Sequence, residues 1–292
     1  MSEAHRSRMA DNQDKAILVD DLAAKSLKTL SGSKSSRLGF ASQYLKEVDC
    51  IQTAFAAGIN YFFSYNLPSD QLLDGLKPLL SDHRDTILIA TGSESRDPNT
   101  LQRYLEQVRR SLNTNVIDAF FVEYLSPQDS INEIEVVQTV LQRWKIEGWI
   151  RYVGASTHNP EIALELIDQG GWDALMLRYN MAHRKVESQV LPAAQSAGMP
   201  VIAFTCTRWG SLLKGHPQWH ESTPTAADCY RYALDHPAVQ VALTAPASMS
   251  ELQSNLPVLN APPLVIAEIE HWQDYGDLVY GSGQDAFETQ WV

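Results

Sequence analysis

The chain has 292 residues, 44% of them hydrophobic, and a formal net charge of −12 at pH 7. This negative charge argues against nucleic acid and anionic membranes as partners, because both bind to basic surfaces. No apolar run reaches the length of about 18 residues that spans a bilayer, and no apolar segment typical of a secretory signal follows Met1. Three widely spaced cysteines fit a reducing compartment. We therefore expect a cytoplasmic protein with no nucleic-acid partner and no membrane partner.

The sequence gives little support to a metal site. It has no Cys-x-x-Cys pair, and His216 and His220, whose spacing metal ligands also use, lie in a loop rich in Pro and Trp. We expect no metal cofactor.

Short β-branched or aromatic segments alternate with longer segments of helical periodicity along most of the chain. Residues 1–15 are polar and are predicted to form a disordered tail. No linker divides the rest, which predicts a single domain over residues 16–281 and a C-terminal tail over residues 282–292. Eight strands are predicted: Arg37–Ala41, Tyr61–Ser64, Ile87–Thr91, Ile117–Glu123, Tyr152–Ser156, Ala174–Tyr179, Val201–Thr205 and Val239–Thr244.

Apolar residues at helical spacing predict helices between these strands. Two such faces are Leu101, Leu105, Val108 and Leu112, and Val136, Val137, Val140, Leu141 and Trp144. Asn99 or Thr100 is the expected N-cap of the first helix, and Gly148 is expected to end the second. A last helix is predicted over Leu264–Leu278.

Eight strand–helix units of about 25–35 residues predict an α/β fold with a parallel sheet closed into a (β/α)8 TIM barrel. A doubly wound open sheet is the alternative, but no Gly-x-Gly-x-x-Gly motif follows the first strand. Active sites of such barrels lie at the carboxyl ends of the strands. The positions to examine are therefore Ser64, Tyr65, Gly92, Glu123, Ser156, Thr157, Asn180 and the loop after Thr205.

The segment Gly58–Tyr65 (Gly-Ile-Asn-Tyr-Phe-Phe-Ser-Tyr) resembles the second-strand signature of the aldo-keto reductases. Other segments similar to family motifs follow in the family's order: Ser36–Phe40, Ser69–Leu76, Ile89–Thr91, Ser111–Leu112, Ile117–Val122, Gly148–Ser156 and Arg178–Arg184. The resemblance covers most of the chain. It implies the TIM barrel, NADP(H) as cofactor and carbonyl reduction as the usual activity.

The resemblance also implies a proton-donating Tyr, tuned by a Lys and an Asp, and a His that orients the substrate carbonyl. Here Phe63 stands at the Asp position, Gly92 at the Lys position and Glu123 at the His position. The Asp and the Lys of the usual family mechanism are therefore absent from these positions.

The position of the family Tyr is ambiguous. It falls on Pro68 when counted from Phe63 and on Asn66 when counted back from Ser69–Asp70, and Tyr65 lies beside it and could substitute for it. Family members that reduce steroid carbon–carbon double bonds also have Glu at the position of Glu123, where a protonated carboxyl polarises an enone. The alternative for Glu123 is a solvated or ion-paired carboxylate. Tyr65 and Glu123 are the candidate catalytic residues.

The cofactor contacts of the family are partly retained. The candidate NADP(H)-binding residues are Ser156, Thr157, Phe204, Gly210, Leu212, Ser248 and Asn255. Ser156 and Thr157 match the Ser-Asn pair that holds the nicotinamide amide, and Met176 replaces a Gln of the same contact. Phe204 either stacks on the nicotinamide or packs in the core.

Segment Gly210–Gly215 resembles the pyrophosphate loop, in which backbone N–H groups hold the anion. Ser248 and Asn255 match the adenine end of the site. Arg208 or Lys214 could bind the 2′-phosphate of NADP(H). The alternative for each residue is that it is a solvated charge on the loop and contacts no ligand.

Two functions remain open. The loss of the Asp and the Lys favours a pseudoenzyme, a barrel with a binding or regulatory role toward a small-molecule ligand or a protein partner. The retained cofactor positions favour an NADP(H)-dependent oxidoreductase that acts on a carbonyl or enone with Tyr65 or Glu123 as proton donor.

Overall fold

The computed structural model of the chain describes residues 26–42, 45–65 and 71–283. The predicted tail over residues 1–15, both positions proposed for the family Tyr (Asn66 and Pro68) and residues 284–292 lie outside the described residues.

Eight parallel strands close into a barrel in which each strand pairs with the next and the last pairs with the first. The strands are β1 (Leu38–Ser42), β2 (Tyr61–Ser64), β3 (Leu88–Ser93), β4 (Ile117–Leu125), β5 (Ile150–Thr157), β6 (Ala174–Arg178), β7 (Val201–Phe204) and β8 (Val239–Thr244). The predicted (β/α)8 TIM barrel is confirmed, and every predicted strand end lies within two residues of the observed one.

Helices alternate with the strands and cover the outside of the barrel. They are α1 (Asp49–Ala56), α2 (Gln71–His83), α3 (Pro98–Leu112), α4 (Ile131–Ile146), α5 (Pro160–Gln169), α6 (Val190–Ser196), α7 (Ala226–Asp235), α8 (Met249–Asn255) and α9 (Ile266–Tyr280). Short 3₁₀ helices span Arg84–Thr86, Ser211–Lys214 and Leu256–Asn260. Among the described helices, none is long and apolar enough to cross a membrane.

The ends of α3 and α4 follow local chemistry. The carboxylate of Asp97 caps α3 by accepting a hydrogen bond from the backbone N–H of Thr100 at 2.8 Å. The prediction of Asn99 or Thr100 as N-cap is therefore wrong, because Pro98 takes the first helical position, where its missing N–H costs nothing. Gly148, with φ of +75°, follows the end of α4 as predicted.

The predicted apolar face of α3 is confirmed, since all four of its residues are buried. On α4, Val137, Leu141 and Trp144 are buried, but Val136 is 51% exposed and its assignment to the face is wrong. Neighbouring residues of a helix point about 100° apart, so Val136 and Val137 cannot both face the barrel.

Strand residues alternate between the interior of the barrel and the layer under the helices. The interior is filled by side chains that include Tyr61, Phe63, Phe121, Met176 and Phe204. Gly154 makes room for one of these rings, because a Cβ built on it would lie 2.9 Å from Cγ of Phe121. A ligand can therefore enter the filled barrel only at one of its ends.

The amino-terminal end of the barrel is closed. Leu27 is fully buried there. The carboxylate of Asp118 accepts hydrogen bonds from the N–H of Ile89 at 2.8 Å and from Arg151 at 2.6 Å, and pairs with Arg84 at 2.9 Å. This buried network fixes the base of the scaffold and leaves the opposite end for function.

Candidate active site

The carboxyl ends of the strands form a mouth into which the inward-facing side chains of β2 to β7 project. Phe63 lies just below this mouth and is fully buried. Its ring makes edge contacts with the rings of Tyr65 at 4.7 Å and Phe121 at 5.9 Å. Phe63, which the resemblance assigns to the position of the family Asp, is thus part of an aromatic layer.

The side chain of Glu123 occupies the space beside Gly92. A Cβ built on Gly92 would collide with Oε1 of Glu123 and lie 2.8 Å from both Cγ of Glu123 and the carbonyl oxygen of Phe121. A Lys side chain at position 92 would therefore overlap Glu123 from its first carbon onward. The two positions that the resemblance assigns to the family's Lys and His, Gly92 and Glu123, are therefore sterically coupled.

Glu123 is buried, with 5% of its surface exposed. Its Oε1 is buried and has no hydrogen-bond partner among the described residues. The pKa of Glu123 is raised to about 8, chiefly by burial and also by the charge of Glu94, while the charge of Arg96 acts in the opposite direction. The carboxyl group is therefore mostly protonated at neutral pH, and a protonated carboxyl can donate a proton or a hydrogen bond.

Tyr65 is half-buried at the same mouth, close enough to Glu123 for the two groups to interact electrostatically. Its pKa is raised well above the ordinary value of 10, by burial first and then by neighbouring Tyr and Glu groups. The family mechanism needs a nearby cation to shift the Tyr in the opposite direction. In this environment the Tyr65 hydroxyl is a weak proton donor.

A bulge at Tyr124 shapes the mouth. Tyr124 has φ of +55°, and the pairing of β4 with β5 shifts register between Val122 and Leu125. Arg96 holds the bulge by donating from Nη2 to the carbonyl oxygens of Glu123 at 3.0 Å and Tyr124 at 3.2 Å. A left-handed conformation is costly for a residue with a side chain and is often kept at functional sites.

A row of three rings crosses the mouth. The ring of Tyr124 stacks on His158 with centroids 5.4 Å apart, and the rings of His158 and Phe204 make an edge-to-face contact with centroids 5.2 Å apart. Burial lowers the pKa of His158 to about 4, with a smaller contribution from the charge of Arg178, so the ring is neutral. The sequence analysis missed Arg96, Tyr124 and His158, although His158 follows Ser156 by two residues and therefore points to the same side.

The predicted nicotinamide contacts lie on two sides of the sheet. Ser156 faces the mouth, and its Oγ accepts a hydrogen bond from the N–H of Tyr124 at 2.8 Å. Thr157 faces outward, and its hydroxyl donates to the carbonyl oxygen of Leu125 at 2.7 Å. Ser156 and Phe204 thus border the mouth, whereas Thr157 makes a contact between strands.

The segment that resembles the pyrophosphate loop has its N–H groups turned inward. The N–H of Ser211 donates to the carbonyl oxygen of Arg208 at 3.0 Å, and that of Leu212 donates to the carbonyl oxygen of Thr207 at 3.3 Å. The N–H of Leu213 donates to the carbonyl oxygen of Gly210 at 3.1 Å. Gly210 takes φ of +78° at the start of this 3₁₀ turn, and Leu212 is fully buried. An anion could use these N–H groups only after the turn had opened.

The predicted adenine end also makes contacts within the protein. Ser248 caps α8, with Oγ accepting from the N–H of Glu251 at 3.3 Å. Asn255 is buried and donates from Nδ2 to Oγ1 of Thr244 at 2.9 Å. Arg208, a candidate for the 2′-phosphate, is buried and donates to the carbonyl oxygen of Val279. The structure thus groups Tyr65 and Glu123 with Ser156 and Phe204, and leaves the remaining predicted positions apart from them.

The family profile described as "Aldo/keto reductase family" matches residues 38–218. An uncharacterized oxidoreductase of Bacillus subtilis is 23% identical over 274 residues, which cover 79% of this chain and 87% of the relative. A second relative, a NADH-specific methylglyoxal reductase of Escherichia coli, is 24% identical over 115 residues, which cover 39% of this chain and 35% of that enzyme.

Solved structures of aldo-keto reductases share the fold. One from Bacillus halodurans, in its holo form, is 22% identical with a TM-score of 0.72, and the match covers 88% of this chain and 98% of that one. One from Klebsiella pneumoniae, in complex with NADP and acetate, is 17% identical with a TM-score of 0.69, and the match covers 87% and 95% of the two chains. These structures share the fold, and the family profile, which spans more than half of the sequence, shows that the chain belongs to the aldo/keto reductase family.

Proposed function

We propose that this protein is a pseudoenzyme of the family, a barrel that binds a ligand or partner in a regulatory role and does not reduce carbonyls by the family mechanism. The observation that carries the proposal is the Glu123 side chain in the space beside Gly92. No Lys can occupy that position while Glu123 stays where it is, and Phe63 supplies no charge.

The energetic argument concerns the proton donor. A positioned general acid contributes about 10²–10⁴ in rate, which corresponds to about 3–5 kcal/mol of barrier. The raised pKa of Tyr65 reduces this contribution, because a donor is most effective when its pKa lies near the working pH. Ordinary carbonyl reduction with Tyr65 as donor would therefore lack an efficient general acid.

NADP(H) is the first ligand to test, because it is the cofactor in the Klebsiella pneumoniae relative and because Ser156 and Phe204 border the mouth. Tryptophan fluorescence and Tm are followed while NADPH is added, since a ligand that binds the folded state raises Tm. Absence of binding up to ~1 mM would direct the search to other small molecules and to protein partners. Micromolar binding accompanied by turnover would overturn the pseudoenzyme proposal.

A second candidate is an NADP(H)-dependent oxidoreductase in which Glu123 is the proton donor to a carbonyl or enone. The specific observation in its favour is a buried carboxyl whose pKa of about 8 keeps it protonated at neutral pH. Oxidation of NADPH is measured with aldehyde and enone substrates for the wild type, Glu123→Gln, Tyr65→Phe and the surface control Glu106→Gln. Turnover that falls at least about hundredfold only in Glu123→Gln would establish this candidate, and turnover that no variant changes would exclude both proposed donors.

A further inference from the structure

An extra residue near the end of β4 decides which side chains reach the mouth. Residues 122–125 of β4 stand opposite residues 155–157 of β5, so β4 is one residue longer over this stretch. Glu123 and Tyr124 therefore form a β-bulge, in which two residues oppose one. Such bulges can re-aim a side chain, because they interrupt the alternation of side chains between the two sides of a strand.

The bulge turns two consecutive side chains toward the mouth. Phe121 belongs to the interior of the barrel and Val122 to the layer under the helices, as alternation requires. Continued alternation would place Glu123 inside and Tyr124 under the helices. With φ of +55°, Tyr124 instead packs against the interior cluster, and its ring stacks on His158. A carboxyl group and an aromatic ring from neighbouring residues thus face the same space.

Arg96 supplies hydrogen bonds that the bulge removes from the sheet. Its Nη2 donates to the carbonyl oxygens of Glu123 at 3.0 Å and Tyr124 at 3.2 Å. The N–H of Tyr124 donates to Oγ of Ser156 at 2.8 Å. Buried backbone groups without partners are costly, and a left-handed conformation adds to the cost for a residue with a side chain. The bulge therefore depends on side-chain partners, and Arg96 pairs with two of its backbone groups.

Asp129 holds the guanidinium of Arg96 in this position. Its carboxylate accepts hydrogen bonds from Nε of Arg96 at 2.7 Å and from Nη2 at 3.2 Å. The same carboxylate accepts from the N–H of Ser126 at 2.7 Å, which fixes it in turn. Both side chains of the pair are partly buried, with 16% and 14% of their surfaces exposed. A guanidinium presents its donors in a fixed planar geometry, which a Lys ammonium cannot reproduce.

We propose that Arg96 and Asp129 are positioning residues of the mouth, which hold the bulge so that Glu123 and Tyr124 face the ligand together. The inference rests on the proposed function in one respect, that the mouth is where a ligand binds. Without the bulge, strand alternation would return Tyr124 to the layer under the helices. A ligand therefore meets the carboxyl group and the stacked ring side by side only while the pair of Arg96 and Asp129 is intact.

Urea unfolding of the full chain between pH 4.5 and pH 8 separates positioning from a plain charge effect. A raised pKa of Glu123 makes stability fall as pH rises through this range. The pKa is raised chiefly by burial and also by Glu94, while the charge of Arg96 opposes the shift. The neighbouring Tyr65 and Tyr124 stay uncharged here, because burial raises the pKa of both hydroxyls.

The two roles of Arg96 predict opposite results. As a charge alone, Arg96→Gln would enlarge the fall in stability and Arg96→Lys would leave it unchanged. As a positioning residue, its loss in either variant lets water reach Glu123 and lowers the pKa toward 4.5, which shrinks the fall. Because burial is the largest cause of the shift, the loss of burial outweighs the loss of the charge in Arg96→Gln.

We expect the fall in the free energy of unfolding to shrink to about half or less in Arg96→Lys, Arg96→Gln and Asp129→Asn. Arg110→Gln, which removes a charge from a side chain that is 76% exposed on α3, should keep the wild-type value. Hydrogen exchange without ligand, followed by mass spectrometry, should be about tenfold or more faster over residues 123–126 in the first three variants, because their bulge opens.

Two outcomes would overturn the proposal. One is an enlarged fall in Arg96→Gln with a wild-type profile in Arg96→Lys, which assigns Arg96 a purely electrostatic role. The other is an exchange rate over residues 123–126 that neither Arg96→Lys nor Asp129→Asn changes, and this rate decides the question if the wild type shows no pH dependence. Thermal melts identify any variant that does not fold, and the remaining variants then decide. These measurements need no ligand, so their outcome is independent of the NADPH titration that tests the proposed function.

Discussion

The steric coupling of Gly92 and Glu123 can be measured as a free energy of unfolding. In Gly92→Ala the new Cβ would meet Oε1 and Cγ of Glu123 and the carbonyl oxygen of Phe121. Overpacking of this kind costs about 1–3 kcal/mol. Because two of these three contacts belong to Glu123, we expect Glu123→Ala to recover about 1 kcal/mol of the cost in the double variant.

The assay is urea unfolding of the wild type, both single variants and the double variant, and the coupling energy is the departure from additivity. Gly39→Ala is the matched control. Its Cβ would meet Val241, Leu243 and Tyr61 at 2.8–2.9 Å and would not meet Glu123. Gly39→Ala should therefore combine additively with Glu123→Ala. Additive behaviour of Gly92→Ala as well would refute the claim that the Glu123 side chain fills the space beside Gly92.

Two further predictions concern ionised groups. The folded pKa of Glu123, about 8, lies above its ordinary value of 4.5, so the folded state binds more protons than the unfolded chain between these pH values. The free energy of unfolding should therefore fall by on the order of 3–5 kcal/mol as pH rises from about 4.5 to about 8. Glu123→Gln should remove this pH dependence. Urea titrations that give the wild type and Glu123→Gln the same pH profile would contradict the prediction. Asp118→Asn should destabilise the barrel by about 3–5 kcal/mol, because it leaves two Arg side chains without their buried carboxylate partner. The control Asp74→Asn, at an exposed ion pair, should cost less than about 1 kcal/mol. Similar melting curves for the two variants would count against a stabilising role of the buried network.

The strands were predictable because their signals are local. Alternation along β2 to β5 places Phe63, Gly92, Glu123 and Ser156 on the inner side without knowledge of the fold. The bulge at Tyr124 was not predictable, since it depends on hydrogen bonds from Arg96, which precedes it by 28 residues. A register shift of this kind decides where side chains point, and the sequence near Tyr124 carries no glycine to announce the positive φ.

The cofactor positions were harder for the same reason. The resemblance predicts that Leu212 and Asn255 bind the cofactor, but in the structure both residues make hydrogen bonds to other elements of the barrel. The carbonyl oxygen of Leu212 accepts a hydrogen bond from Tyr275 at 2.6 Å, and Asn255 bonds to Thr244 on β8. A sequence match predicts where a residue lies in the barrel. Whether its polar groups are available to a ligand depends on the hydrogen bonds that they make to other parts of the protein.

The charge state of the mouth restricts what can bind there. The mouth is close to neutral at pH 7, because Phe63 and Gly92 carry no charge, Glu123 is mostly protonated and His158 is uncharged. Placing an ionised group in this buried neutral mouth is costly. A ligand of the mouth therefore has to place an uncharged portion there.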